Sequence, residues 1–361
     1  MISLLLGARP NFIKYAALHH AAAQMPGLKL QVVHTGQHSD PAMSSVFWTE
    51  FGLPAPHATL GIAGGNRGRQ IARTTEALVN LWEQNRPHAV LLIGDVNASV
   101  AGALAADALD IPITHYEAGL RSFDRSMPEE RNRMVMDALS TRFLTTEASG
   151  RTNLLREGHP ETAIYPVGNL LADVLRMYTP QIAQQPIMQN LGLVRQQYAL
   201  VTLHRPSNVD AEAGLTRILA LLNLMAGTCP VVFPVHPRTR MRMEAFDLAV
   251  KLAQINRLIL LDPLPWMAFQ ALQQQAALVV TDSGCVQEET TISQTPCLTW
   301  RENTERPVTV TMGSNVLSGN LDVAEAGKYL SRALSGQWKT SQIPPLWEGN
   351  AGQRVWEMAI N

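Results

Sequence analysis

TDSGCVQEETTISQTPCLTWRENTERP, residues 281–307, is the stretch whose reading decides the fold. It follows the apolar run Leu278-Val279-Val280, and what comes after Gly284 has helix-forming composition. A buried strand, a tight turn and a helix entry are therefore predicted, in that order. The first-turn N–H groups of a helix point outward unpaired and its dipole favours negative charge, so Ser283 and Gly284 read as donors of a backbone anion seat. Glu288 and Glu289 follow inside the helix, where a carboxylate can cap or accept hydrogen bonds from sugar hydroxyls. After a strand at 296–299, Arg301 and Arg306 bring guanidinium forks that suit a diphosphate. An ordinary N-cap uses the same residues, so the turn alone leaves both readings open.

The same grammar recurs outward in both directions. Upstream, strands are expected at 2–6, 28–34, 89–93, 113–116, 143–145 and 163–167, with helices at 12–24, 69–84, 100–109 and 130–140 between them. A second series runs from a strand at 198–203 through a helix at 211–225, a strand at 231–234, a helix at 241–254, a strand at 258–261 and a helix at 266–275. Such alternation is the α/β class, parallel sheets wound with helices on both faces, whose ligands sit beyond the carboxyl ends of the strands. The chain's unusual residues gather at those ends: Gly7 to Pro10, Thr35 to His38, Gly94-Asp95, His115 to Arg121. A pause near 166–169 and a Gln- and Pro-rich stretch at 180–190 place the domain change, giving domains 1–168 and 169–348, with a terminal helix at 349–361 expected to pack back on the first.

Length and charge agree with this. A chain of 361 residues, 46% hydrophobic, exceeds one usual core and predicts two domains. Lys and Arg total 29 against 30 Asp and Glu, which removes the electrostatic case for nucleic acid or an anionic membrane. No run nears the ~18 apolar residues of a membrane span, and the N-terminus reads as a buried strand without a basic leader. Cys229, Cys285 and Cys297 lack metal spacing and leave one odd, so a reduced, cytoplasmic setting is expected.

Three carboxylates at strand ends, Asp95, Glu117 and Glu129, form an acid/base set, since crowding raises at least one pKa. His204, leaving the strand at 198–203, is of the type that titrates near neutrality, and Arg9 and Lys14 are cations at the first turn. Singly, each has a bland use: a Pro-Glu-Glu satisfies a helix dipole, and a histidine at a strand end is often structural. His236, and His38 with Asp40, lack ligand spacing, so no metal is expected. Gly64-Gly65-Asn66-Arg67-Gly68 lacks the G-x-G-x-x-G run after a strand, so no dinucleotide site is read there.

Taken together, GARPNFIK (7–14), TGQH (35–38), GD (94–95), HYEAGLRSFDRSMPEERNR (115–133), VGN (167–169), VTLHRPSNVD (201–210), FPVHPRTR (233–240), DPL (262–264) and the 281–307 stretch resemble the non-hydrolysing UDP-N-acetylglucosamine 2-epimerases. The resemblance implies a GT-B fold, two Rossmann-like doubly wound domains with the active site in the interdomain cleft. It also implies interconversion of UDP-GlcNAc and UDP-ManNAc, through elimination of UDP to 2-acetamidoglucal and re-addition, by a cytosolic homodimer without NAD. Matched position by position, Arg9, Lys14, Ser283, Gly284, Cys285 and Arg306 correspond to UDP contacts, Glu289 to a ribose contact, and Leu264 and Phe269 to neighbours of the uracil. Asp95, Glu117, Glu129 and His204 correspond to the catalytic set. Gln37, Arg67, Glu130, Arg205 and His236 resemble a site at which some bacterial members bind an activating second UDP-GlcNAc, with Gly68 where Gln is expected.

This chain departs from the commonest family pattern at Asn11 (a Glu elsewhere), Val96-Asn97-Ala98 (a Thr run), Pro206-Ser207-Asn208, Trp300 (a basic residue) and Cys285 (a Gly). A side chain at 285 is expected to weaken UDP binding if its φ is positive. Two alternatives share the nucleotide site: a 2-epimerase of a modified UDP-GlcNAc such as a 3-acetamido uronic acid, and a GT-B glycosyltransferase. The second leaves the carboxylates of the first domain without a purpose.

Overall fold

The computed structural model describes residues 1–36, 47–319 and 322–360, with only the backbone considered at 360. It contains two compact units, 1–176 with 345–361, and 177–344. The boundary expected at 168 falls later because the helix Leu170–Met177 buries Leu170, Leu171, Val174 and Leu175, and all but its last residue falls in the first unit. The return expected at 349 begins at 345, since Trp347 already donates its indole N–H to the Thr146 carbonyl at 2.8 Å.

The first unit holds a parallel sheet built from β1 (Ile2–Leu6), β2 (Leu30–His34), β3 (Ala58–Thr59), β4 (Ala89–Ile93), β5 (Ile113–Tyr116), β6 (Arg142–Thr145) and β7 (Ile164–Pro166). Their order across the sheet is β3-β2-β1-β4-β5-β6-β7. Because β1 pairs with both β2 and β4, the winding reverses between β1 and β4, and that reversal opens a crevice at the carboxyl ends of the two strands. All five residues of β1 are buried, as a strand covered on both faces must be. The helices Arg67–Gln84 and Asn97–Ala108 pack together on one face around Leu78, Trp82, Val100 and Ala103.

The second unit repeats the plan with β8 (Ala199–Thr202), β9 (Val231–Pro234), β10 (Leu258–Leu261), β11 (Leu278–Thr281), β12 (Cys297–Thr299) and β13 (Asn315–Leu317), ordered β10-β9-β8-β11-β12-β13. Here the winding reverses between β8 and β11. The helix Glu212–Thr228 covers one face with Leu215, Ile218, Leu222 and Met225, at the three- and four-residue spacing of a buried stripe. The single helix expected at 241–254 is instead two, Pro237–Ala245 and Ala249–Ala253, parted at Asp247 with φ 55°. The 180–190 stretch contains two short helices, Thr179–Ala183 and Ile187–Asn190, and the helices Ala148–Arg156 and Val323–Leu334 and strand β13 have no counterpart in the sequence reading. Among the described residues no helix is long and apolar enough to cross a membrane.

The final helix, Ala351–Ile360, packs on Arg9–Ala22, with the Trp356 indole donating to the Leu18 carbonyl at 2.8 Å. Asp173 accepts from the Ala351 and Gly352 amides at 3.0 and 2.7 Å, the anionic cap that a buried helix start requires.

Candidate functional site

In the first unit the expected residues collect on the turns that leave β1, β4 and β5. Asn11 ties the first turn to the next, accepting from the Gly7 and Ala8 amides at 3.0 Å each and donating to the Ile93 carbonyl at 3.2 Å. A glutamate has no N–H for Ile93, so this departure substitutes a neutral two-way brace. Lys14 and Glu117 form a buried ion pair at 2.6 Å, and the Asp95 carboxylate is held by Arg133. Asp95 and Glu117 are each met by a cation of their own. Glu117 has φ 75°, a conformation that costs an L residue about 1–3 kcal/mol and persists only where the surroundings enforce it. Glu129 lies half-buried in the first turn of the helix Pro128–Leu139, with no protein partner among the described residues.

Behind these groups lies a support that sequence reasoning missed. Asp137 is fully buried; its carboxylate meets His115 Nδ1 at 2.6 Å, Arg121 Nη2 at 2.6 Å and the Gly119 amide at 3.0 Å. Burial alone would raise the Asp137 pKa, but His115 and Arg121 outweigh it and hold the group below the ordinary aspartate value. Glu130, 1% exposed, binds Arg133 and accepts from the Ser122 and Phe123 amides at 2.9 Å each, which commits it to the loop after β5. Arg67 reaches the same region through Asn132, which donates to the Asp95 carbonyl at 2.6 Å. Gln37, His38 and Asp40 lie outside the described residues.

In the second unit β11 ends at Thr281, and the helix Gly284–Ser293 starts where the anion seat was read. Ser283 is its N-cap residue yet makes no side-chain capping bond. A Cβ on Gly284 would lie 2.6 Å from Arg306 Nη1 and 2.9 Å from Glu305 Oε1, so glycine is needed because the guanidinium rests against it. Arg306 also pairs with Glu288 at 3.0 Å and Glu305 at 2.5 Å, and Glu305 in turn meets Arg301 at 2.8 Å and Arg205 at 3.6 Å. Burial and the neighbouring Arg205 and Arg306 cations outweigh the attraction of Glu305 and pull Arg301 below the usual arginine pKa. Glu289 accepts the Trp266 indole N–H at 2.9 Å, and Leu264 and Phe269 are half-buried beside it in sequence and packed on one cluster.

Asp282, read only as part of a turn, is the other buried anchor. It accepts from the His204 and Arg205 amides at 2.9 and 2.8 Å and from Asn208 Nδ2 at 2.9 Å, and lies 3.1 Å from His204 Nδ1. Burial would raise its pKa, but His204, Asn208 and the Arg205 amide hold it below the ordinary value. An acid on the first residue after a strand end was the available signal. Asn208 also donates to the Trp300 carbonyl at 3.2 Å; Trp300 itself is a core residue beneath Arg217. His236 stacks on His204 with ring centroids 4.9 Å apart and accepts from the Arg238 amide. Cys285 is not among the positive-φ residues and sits in the helix's first turn, so the strain expected there is absent. Among the described residues no three His, Cys, Asp or Glu side chains converge to hold a metal.

A family model described as UDP-N-acetylglucosamine 2-epimerase matches residues 20–359. A protein of Methanocaldococcus jannaschii named UDP-N-acetylglucosamine 2-epimerase is 34% identical, with 98% of this chain and 97% of that one covered. A Pseudomonas aeruginosa protein named UDP-2,3-diacetamido-2,3-dideoxy-D-glucuronate 2-epimerase is 39% identical over 88% of each chain. The crystal structure of the M. jannaschii protein in complex with UDP-GlcNAc and UDP superposes with a TM-score of 0.90, covering 99% of this chain and 98% of that one. The fold is accordingly GT-B in class, two Rossmann-like α/β units.

Proposed function

The chain belongs to the UDP-N-acetylglucosamine 2-epimerase family, a family of isomerases, and from that premise we propose that it interconverts UDP-GlcNAc and UDP-ManNAc without releasing free sugar. A base takes the C2 proton as the C1–O bond to UDP breaks, leaving 2-acetamidoglucal and UDP. UDP then re-adds at C1 and C2 is reprotonated on the opposite face. No hydride leaves the sugar, so the route calls for no NAD, and UDP itself is the group that departs and returns.

The observation that supports this most is the helix start at Gly284, bare of Cβ and backed by Arg306, a seat suited to a detached diphosphate. In this reading Arg9, Lys14, Ser283, Gly284, Cys285 and Arg306 serve the diphosphate, Glu289 the ribose, and Leu264 and Phe269 the uracil. Asp95, Glu117, Glu129 and His204 move the protons, each contributing on the order of 10²- to 10⁴-fold. The enzyme works as a cytosolic homodimer.

Incubation with UDP-GlcNAc in D2O tests the proposal. Deuterium at C2 without any acceptor is expected; a glycosyltransferase leaves the C2 proton in place, and a hydrolysing epimerase releases free ManNAc with UDP. A second reading, a substrate bearing another acetamido group and a carboxylate, is favoured by the 39% identity to the P. aeruginosa protein. Comparing kcat/KM for C2 exchange on the two UDP-sugars separates them.

A further inference from the structure

We propose that Asp137 is a positioning residue, one buried carboxylate that sets the two turns bearing Asp95 and Glu117. The inference rests on the reading above, in which those two acids act on the sugar. Its connections run to both turns. Through one oxygen Asp137 holds His115 Nδ1, and His115 Nε2 lies 3.1 Å from the carbonyl of Gly94, the residue immediately before Asp95. Both ring nitrogens of His115 therefore face groups that accept, a carboxylate oxygen and a backbone carbonyl. Through its other oxygen Asp137 accepts from Gly119, two residues past Glu117.

Backbone geometry explains why such a brace is needed. Gly94, Glu117 and Gly119 all have left-handed φ, at 64°, 75° and 76°. A Cβ on Gly94 would meet Glu117 Oε2 at 2.9 Å, so the two turns are packed to within a methyl group of one another. A Cβ on Gly119 would collide with the Gly150 carbonyl at 2.2 Å. Glu117 cannot relax on its own, because the next turn residue is pinned on one side by Gly150 and on the other by Asp137. Arg121 completes the brace: it holds Asp137 and is itself held by Glu157, at 2.6 Å each. Asp137 lies eight residues, just over two helical turns, beyond Glu129, at the far end of the helix Pro128–Leu139, and acts only through others.

The test compares Asp137→Asn with wild type in the D2O exchange assay and by UDP calorimetry. An amide keeps the shape but has one accepting oxygen, so it can no longer accept from His115 on one side and from Gly119 and Arg121 on the other at once. The expected result is a fall in kcat of about 100-fold, the size of an ångström-scale misplacement, with KM and UDP affinity within about twofold of wild type. In a Glu117→Gln background the same change should cost much less, because the residue it positions has lost its function. Wild-type kcat in Asp137→Asn, or equal losses in both backgrounds, overturns the proposal. Should Asp137→Asn fail to fold, His115→Asn replaces it: the asparagine nitrogen takes the place of Nδ1 and keeps Asp137 satisfied, leaving only the Gly94 carbonyl without its donor. A kcat loss with unchanged UDP affinity supports the assignment, and unchanged kcat overturns it. Absence of C2 exchange in the wild type would instead sink the activity itself.

Discussion

Asp95 and Glu117, on the turns leaving β4 and β5 in the first unit, and Arg301 and Arg306, both in the connection after β12 in the second, lie near corresponding winding reversals, yet their charges are laid out in opposite order. In the first unit, carboxylates rest on cations: Glu117 on Lys14, Asp95 on Arg133. In the second, guanidiniums rest on carboxylates: Arg306 on Glu288 and Glu305, Arg301 on Glu305. Buried ions must be paired in either case, since the desolvation cost of a lone charge is several kcal/mol. In the proposed function one sheet end exchanges protons and the other holds an anion, so the same α/β plan would serve both.

The sharpest way to break that division is Glu117→Gln, which keeps shape and removes the charge that a base requires. C2 deuterium exchange should fall by about 10²- to 10⁴-fold while UDP affinity, measured by calorimetry, stays near wild type. Exchange at the wild-type rate would reduce the first unit's carboxylates to scaffold. The mirror experiment is Arg306→Leu. Removing one partner of a buried ion cluster costs about 3–5 kcal/mol in urea unfolding, because Glu288 and Glu305 stay behind. UDP, expected to raise the wild-type unfolding midpoint by mass action, should also lose most of that effect. If UDP still stabilises the variant fully, the seat lies elsewhere.

A smaller effect tests why the seat contains a glycine. Gly284→Ala pushes a methyl group into Arg306 and should cost about 1–3 kcal/mol by overpacking, with weaker UDP binding read by calorimetry. Its neighbour should behave differently: Cys285→Gly changes UDP affinity little, since Cys285 already sits in ordinary helical geometry. A reversal of that order would mean that the bulk at 285, and not the packing at 284, controls the diphosphate.

Sequence and structure agree best where the signal is local. Strand β11, the turn at 281–284 and the helix behind it were legible because an apolar run, a cap and a helix former follow one another without interruption. The residues expected at strand ends were legible for the same reason. Their partners were not. Asp137 sits near the end of an ordinary amphipathic helix, and nothing in its neighbours reveals that His115, 22 positions earlier, is its contact. Asn208 and Trp300 read as departures, but their use as donor and acceptor around Asp282 depends on a separation of 92 positions. Strand β13 is three residues long with Asn at its start, too short and too polar for a period to register.

The two units also differ in how they treat a buried aspartate that accepts backbone N–H groups, and this yields the smallest expected effect. Asp282 has His204 and Asn208 in addition to its amides, and its pKa is lowered despite burial. Asp173, at the start of the last helix, has the Ala351 and Gly352 amides and more distant help from Arg354 and Arg176; burial wins and its pKa is raised. The signs then oppose. A lowered carboxyl contributes stability that is complete above the ordinary aspartate range and is lost as pH falls through its folded value. A raised one contributes stability that is complete below that range and is lost as pH rises through its folded value. Unfolding midpoints of the wild type, Asp282→Asn and Asp173→Asn across the acid range should therefore diverge in opposite directions. The gap between wild type and Asp282→Asn widens toward neutrality, and the gap for Asp173→Asn narrows. Parallel pH slopes for the two variants would show that amide donors alone set both carboxyls, and that His204 does not stand guard over Asp282.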